Sequence, residues 1–217
     1  MSAAPVRHPR GVTVIGGGAV APGDLAAARA VAPLLVAADG GADRAIALGH
    51  APDWLIGDLD SVSPAARMAL DPGRILHVAE QDSTDFAKCL QRIDAPLVMA
   101  VGFAGLRLDH SLAALTVLVQ AGPGVVMLAS DDVIIACPPR LSLDLAPGTR
   151  VSLFPMGPAR GTSTGLEWPI DGIALAPDGR VGTSNRALGP VTLEIAGPVL
   201  LMLPRDRLEV VLGAVRG

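Results

Sequence analysis

Short apolar runs alternate with helical patterns as far as about residue 122, and beyond that point no helical period of useful length appears before "RDRLEVVLGAV". "GVTVIGG" precedes "PGDLAAARAVAP", "LLVAADGG" precedes "ADRAIALG", and "WLIGDLD" precedes "SVSPAARMALDPG". "RILHVAE" then leads to "STDFAKCLQRI", and "PLVMAVG" to "DHSLAALTVLVQAG". Such alternation predicts an α/β fold, a mainly parallel, doubly wound sheet with helices on both faces. Leu25, Ala28 and Val31 share one helical face, and Gly49 closes the second helix. Ser63 before Pro64 marks another helix start: the hydroxyl can cap it, and proline lacks an N–H that would go unpaired there.

In the remainder, "VVMLAS", "VIIACP", "RLSLDL", "TRVSLFPM", "GPVTLEIAG" and "PVLLMLP" read as strands. Leu141, Leu143 and Leu145 alternate onto one face, and "APGT", "APDGR" and "ALGP" punctuate the runs. This half is expected to be an all-β sandwich or barrel. The expected division is an α/β domain over 1–128 and a β domain over 129–217.

Half of the residues are apolar and the mean hydropathy is +0.48. Gly, Pro, Asp or Arg nevertheless interrupts every run before the roughly 18 to 20 apolar residues of a spanning helix, so a soluble protein is expected. "MSAAPVRHPRGVTVIGGGAVA" has the outline of a signal peptide, but its glycine block reads better as a first strand entering a loop. Cys89 and Cys137 lack metal-site spacing and read as buried small hydrophobes, in keeping with a reducing cytoplasm. A net charge of −4, three Phe and two Trp offer neither a basic stripe nor a stacking platform for nucleic acid.

Only 18% of the chain is charged, yet Asp58 and Asp60 stand at one strand end, and Asp82 and Asp85 follow the next at a helix start. Ligands of parallel sheets bind beyond the C-terminal strand ends, where Asp39, Gln81 and Gly102 also fall. On extended chain Asp58 and Asp60 point alike, whereas Asp82 and Asp85 share a helical face with Lys88 one turn on. Asp82 with Asp85 also fits a capping box. Asp109 lies beside Arg107 and His110. Converging carboxylates suit Mg²⁺ shared with substrate phosphates, Arg107 and Lys88 would meet phosphate oxygens, and the glycines at 17–18 and 40–41 would admit a nucleotide. The residues alone therefore point to metal-dependent phosphoryl transfer. His77 reads as structural and His110 as a hydrogen-bonding group.

Five segments in order, "ADGGADR", "PDWLIGDLDS", "QDSTDFAK", "VGFAGLRLDHSLAAL" and "GTSN", resemble the thiamine pyrophosphokinase (thiamine diphosphokinase) family from about residue 36 to 203. The resemblance implies transfer of the diphosphoryl group of ATP to thiamine, giving thiamine diphosphate and AMP. It implies an α/β catalytic domain, a β-sandwich that binds thiamine, and a homodimer with sites between subunits. By it, Asp58, Asp60, Asp85 and Asp109 would hold Mg²⁺ and the triphosphate, with Gln81, Asp82 and Lys88 nearby. Arg107 would neutralise the transferring group, and Asp39, Gly40 and Gly41 would shape the nucleotide pocket. Trp168 would stack on thiamine, with Ser184 and Asn185 bonding its aminopyrimidine edge. Leu106 stands where many relatives have glycine, and Ala114 where they often have asparagine. A metal-dependent phosphohydrolase and a non-catalytic thiamine- or nucleotide-binding regulator are the rival readings.

Overall fold

A computed structural model describes residues 6–216, which divide into two compact units: 6–117 with 126–130, and 118–125 with 131–216. The first unit carries β1 (Val6–Arg7), β2 (Val12–Ile15), α1 (Asp24–Val31), β3 (Leu34–Ala38), α2 (Gly41–Ala47) and β4 (Trp54–Gly57). It continues with α3 (Pro64–Met68), β5 (Ile75–His77), α4 (Asp85–Leu90), β6 (Ile93–Asp94), β7 (Val98–Val101), α5 (Leu108–Ala121) and β8 (Val125–Ala129), the last two shared with the second unit at one end. Its strands follow the order β8-β7-β2-β3-β4-β5. The pairs β2–β7, β2–β3, β3–β4 and β4–β5 are all parallel.

Every residue of β2 and β7 is buried, as expected where both sheet faces are covered. Thr13 is polar yet fully buried, and its hydroxyl donates to the Ala32 carbonyl at 2.6 Å. Leu25 and Ala28 are buried on α1, with Val31 half-buried beside them. The Ser63 hydroxyl accepts from Ala66 N at 3.1 Å, and Pro64 opens α3 as expected. "GVTVIGG" supplies a strand at the middle of this sheet, between β3 and β7.

The second unit holds β9 (Asp132–Ala136), β10 (Arg140–Leu143), β11 (Arg150–Pro155), β12 (Arg160–Leu166), β13 (Gly182–Ala196), β14 (Val199–Pro204) and α6 (Leu208–Arg216). Its strand order is β10-β13-β11-β14-β9, with β12 also on β13, and all these pairs are antiparallel. Along β10 and β13 buried residues largely alternate with exposed ones, the mark of a sheet with one wet face.

Four expectations need correcting. The unit is β-rich rather than all-β, because α6 buries Val211 and Leu212. "RGTSTGL", which is not among the runs that read as strands, pairs along β13 as β12. "ALGP" does not interrupt the chain but runs inside the 15-residue β13. Helix α4 begins at Asp85 with Thr84 as its cap, the Thr84 hydroxyl accepting from Ala87 N at 3.2 Å. Asp82 lies outside that helix, in a turn where the Glu80 carboxylate accepts from Asp82 N at 2.8 Å and Ser83 N at 3.0 Å. It therefore shares no helical face with Asp85. Cys89 is fully buried and Cys137 half-buried, and burial holds the Cys137 thiol up at about 12.

Candidate active site

The C-terminal ends of β2, β3, β4 and β7 open onto a cavity of about 540 Å³, within the size range of small-molecule sites. Its lining includes Gly17, Asp39, Gly40, Asp58, Asp60 and Lys88. Gly41, expected to shape the nucleotide pocket, is not among its lining residues and serves the fold instead. A Cβ on Gly41 would lie 2.0 Å from the Ile15 carbonyl oxygen, so glycine is what lets α2 start against β2. Gly17 has nothing within 3.6 Å of a Cβ position and presents bare backbone to the cavity.

Asp39 follows β3 with φ at 43°, a conformation uncommon for any residue but glycine. Gly57 makes room for it, since a Cβ there would stand 2.8 Å from that of Asp39. Asp39 is 2% exposed. Its Oδ2 accepts from Ser61 N at 3.0 Å, but its buried Oδ1 has no hydrogen-bond partner among the described residues. Burial pushes this carboxyl up from its usual range, against the Ser61 hydrogen bonds that favour its charge. One carboxylate oxygen each from Asp39, Asp58 and Asp60 lie within 4.8 Å of one another. Carboxylates this close repel one another, and a cation held among the three oxygens would offset that cost.

Lys88 projects from α4 with its side chain 2% exposed. Its Nζ donates to Asp58 Oδ2 at 2.8 Å and to Asp85 Oδ1 at 3.2 Å, while Gln81 Nε2 reaches the same Asp58 oxygen at 3.1 Å. The hydrogen bond from Lys88 holds the Asp58 carboxyl below its usual range. Burial pushes Asp85 up despite the same lysine. For Lys88 itself burial acts to lower the value, but the combined pull of Asp58 and Asp85 prevails and the ammonium is held up. Lys88 is thus engaged with carboxylates.

The four carboxylates expected to act together fall into three settings. Asp58 and Asp60 join Asp39; Asp85 faces Lys88; Asp109 is exposed and ion-paired to Arg107 at 2.6 Å. Arg107, Gln81, Asp85 and Lys88 line the cavity, as do Leu106, His110 and Ala114. Leu106 is 78% exposed with φ at 51°, so a bulky side chain occupies a left-handed position that glycine would take without strain. Asp82 is exposed and outside the cavity lining. Ser61, Phe86 and Phe103 also line the cavity, the two rings stacked with centroids 4.1 Å apart, and no pattern in the sequence pointed to them.

In the second unit, Trp168 is half exposed, and the Arg186 guanidinium lies 5.6 Å from its ring centre. Asn185 is buried and clamps Trp168 by its main chain: Oδ1 accepts from Trp168 N at 3.2 Å and Nδ2 donates to Trp168 O at 2.6 Å. Ser184 is exposed with φ at 63°, its N–H on the Ser152 hydroxyl at 3.1 Å.

A parallel sheet whose strand ends carry bare glycine backbone, a triad of carboxylates and a buried ammonium has the layout of an α/β enzyme that binds its ligands beyond the strand ends. Comparison with known proteins makes this specific. The family model described as "Thiamin pyrophosphokinase, catalytic domain" matches residues 27–127, and that described as "Thiamin pyrophosphokinase, vitamin B1 binding domain" matches 134–200. Thiamine pyrophosphokinase 3 of Oryza sativa subsp. japonica is 30% identical, with 71% of each chain covered. Thiamine pyrophosphokinase 1 of Arabidopsis thaliana is 29% identical over the same shares. Among solved structures, thiamin pyrophosphokinase from Candida albicans superposes with a TM-score of 0.74 at 16% identity, covering 94% of both chains. That from Bacillus subtilis gives 0.71 at 20% identity, covering 89% of this chain and 97% of the other. The chain belongs to the thiamine pyrophosphokinase family.

Proposed function

We propose that this chain is a thiamine diphosphokinase, which moves the diphosphoryl group of ATP to the hydroxyethyl oxygen of thiamine and releases AMP. The observation that carries this is the grouping of Asp39, Asp58 and Asp60, with one carboxylate oxygen of each within 4.8 Å of the others, in the part matched as catalytic domain. Asp39, Asp58 and Asp60 would hold a magnesium ion, which when bound neutralises charge on phosphate oxygens and draws them together. Lys88 keeps Asp58 and Asp85 at fixed separation beneath the cavity, and Gly17 and Gly40 give the nucleotide access to main chain. Arg107 at the cavity lining supplies a guanidinium for the transferring group, with Asp109 orienting it through their ion pair. Transfer of this kind asks the protein chiefly for positioning and electrostatics.

In this reading the 1–128 domain is catalytic and the 129–217 domain, a β-sandwich, takes thiamine. The exposed Trp168 face meets the cationic thiazolium or the pyrimidine, Ser184 bonds the pyrimidine edge, and Asn185 holds Trp168 in place. The protein works as a cytoplasmic homodimer. The deciding experiment is a coupled assay for AMP with ATP and Mg²⁺, with and without thiamine. Thiamine-dependent AMP is expected. Nucleotide breakdown at the same rate without thiamine would mean a phosphohydrolase, and thiamine binding with no AMP a regulator; either sinks the proposal.

A further inference from the structure

We infer that Asp43, which lies outside the acidic triad, is the positioning residue that sets where Asp60 stands relative to Asp39 and Asp58. The inference rests on the magnesium-dependent reading given above. Between β4 and α3 the chain from Asp58 to Ser63 has neither strand nor helix to hold it, and Leu59 sits at φ 67°. A leucine keeps such a conformation only where its surroundings over-determine it. β4 fixes the near end. At the far end Ser63 gives its backbone N–H to Asp43 Oδ2 at 2.8 Å and its hydroxyl to Asp43 Oδ1.

Asp43 is half-buried in the first turn of α2, so this loop is anchored to a helix that itself starts against β2. The same Ser63 hydroxyl accepts from Ala66 N, so one residue both ends the loop and starts α3. Between the two anchors Ser61 bonds Asp39 through its N–H and Asp60 through its hydroxyl at 2.8 Å. The loop also lies directly on the α2 turn, since a Cβ on Gly40 would come 3.3 Å from the Ser61 carbonyl oxygen. Releasing Ser63 from Asp43 lets Leu59 relax to an ordinary conformation and carries Asp60 away from Asp39 and Asp58, while Lys88 and Gln81 still hold Asp58.

The chemistry separates a positioning role from a charge role. Asparagine keeps both contacts, its carbonyl accepting from Ser63 N and its amide donating to the hydroxyl, whereas alanine keeps neither. The test compares wild type, Asp43→Ala, Asp43→Asn and Ser63→Ala in two ways. Mn²⁺ binding to the protein alone is followed by the loss of the free-ion EPR signal. The Mg²⁺ requirement and the KM for thiamine are read from AMP formation.

Asp43→Ala is expected to weaken Mn²⁺ binding and raise the half-saturating Mg²⁺ by roughly tenfold, the usual scale for residues that support a metal ligand. The KM for thiamine stays within about twofold and Asp43→Asn within about twofold of wild type throughout, since neither change removes a ligand contact. Ser63→Ala, which keeps the backbone donor, falls between, and it carries the test if circular dichroism shows Asp43→Ala unfolded. Folded alanine variants that bind Mn²⁺ like the wild type overturn the inference, as does a failure of asparagine to rescue. A wild type that binds Mn²⁺ but makes no AMP defeats the kinase reading instead, and the Mn²⁺ comparison still decides on Asp43.

Discussion

Lys88 answers a problem that the acidic rim creates. Carboxylates brought close repel one another, and an ammonium almost wholly removed from water is costly alone, yet the two needs cancel at 2.8 Å from Asp58 and 3.2 Å from Asp85. Breaking such a pair from one side leaves charge without compensation. Lys88→Met is expected to cost about 2–3 kcal/mol of stability in metal-free buffer, below the range for fully buried pairs because Asp85 is partly solvated. Urea unfolding in EDTA measures this, and an unchanged midpoint would mean that the lysine carries no such burden. Asp39 is the residue whose part was hardest to see beforehand. In the sequence it is one more strand-end aspartate beside a glycine turn; its burial and its unpartnered oxygen depend on Gly57, which only the β3–β4 pairing brings alongside. Asp109 was legible as an acid next to Arg107, but that same adjacency ties it to the arginine instead of to the other acids.

Among the elements, those with strong local signals were read from sequence alone and those built by long-range pairing were not. Ser63 and Pro64 mark the α3 start by chemistry confined to neighbours; β7 announces itself by an unbroken apolar run and β2 by one that only Thr13 interrupts. β12 has no such run, and only its register with β13 makes it a strand. The α4 boundary was misjudged because two turn-forming devices, the Glu80 carboxylate and the Thr84 cap, lie within five residues and the first masks the second. The clamp between β13 and the segment after β12 gives Asn185 a scaffold task. Asn185→Ala is expected to raise the KM for thiamine roughly tenfold, about 1.4 kcal/mol for a buried hydrogen-bonded pair, while leaving the KM for ATP unchanged. Equal changes in both constants in steady-state AMP assays would show that Asn185 serves general stability instead.

For the molecule as a whole, the buried acids give stability two opposite responses to pH. The Lys88 hydrogen bond holds Asp58 below the ordinary 3.8, and the Ser63 bonds do the same for Asp43. Their stabilisation is complete above 3.8 and is lost as pH falls through the lower folded values. Asp39 and Asp85 are raised by burial, so charging them opposes folding at neutral pH and protonation relieves this as pH falls toward 3.8. The metal-free protein is therefore expected to gain Tm on mild acidification and to lose it below 3.8, a profile that scanning fluorimetry in EDTA can follow. A monotonic fall from neutral pH would contradict it.

Because β2 lies between β3 and β7, residues 12–15 hydrogen-bond to residues 98–101 through a register closed only after most of the first unit has been made. During synthesis the loops carrying Asp39, Asp58 and Asp60 emerge well before the strand that pairs with the free side of β2. Until Val101 leaves the ribosome, β2 is an open edge of the nascent sheet, and a chaperone or an early release would meet it there.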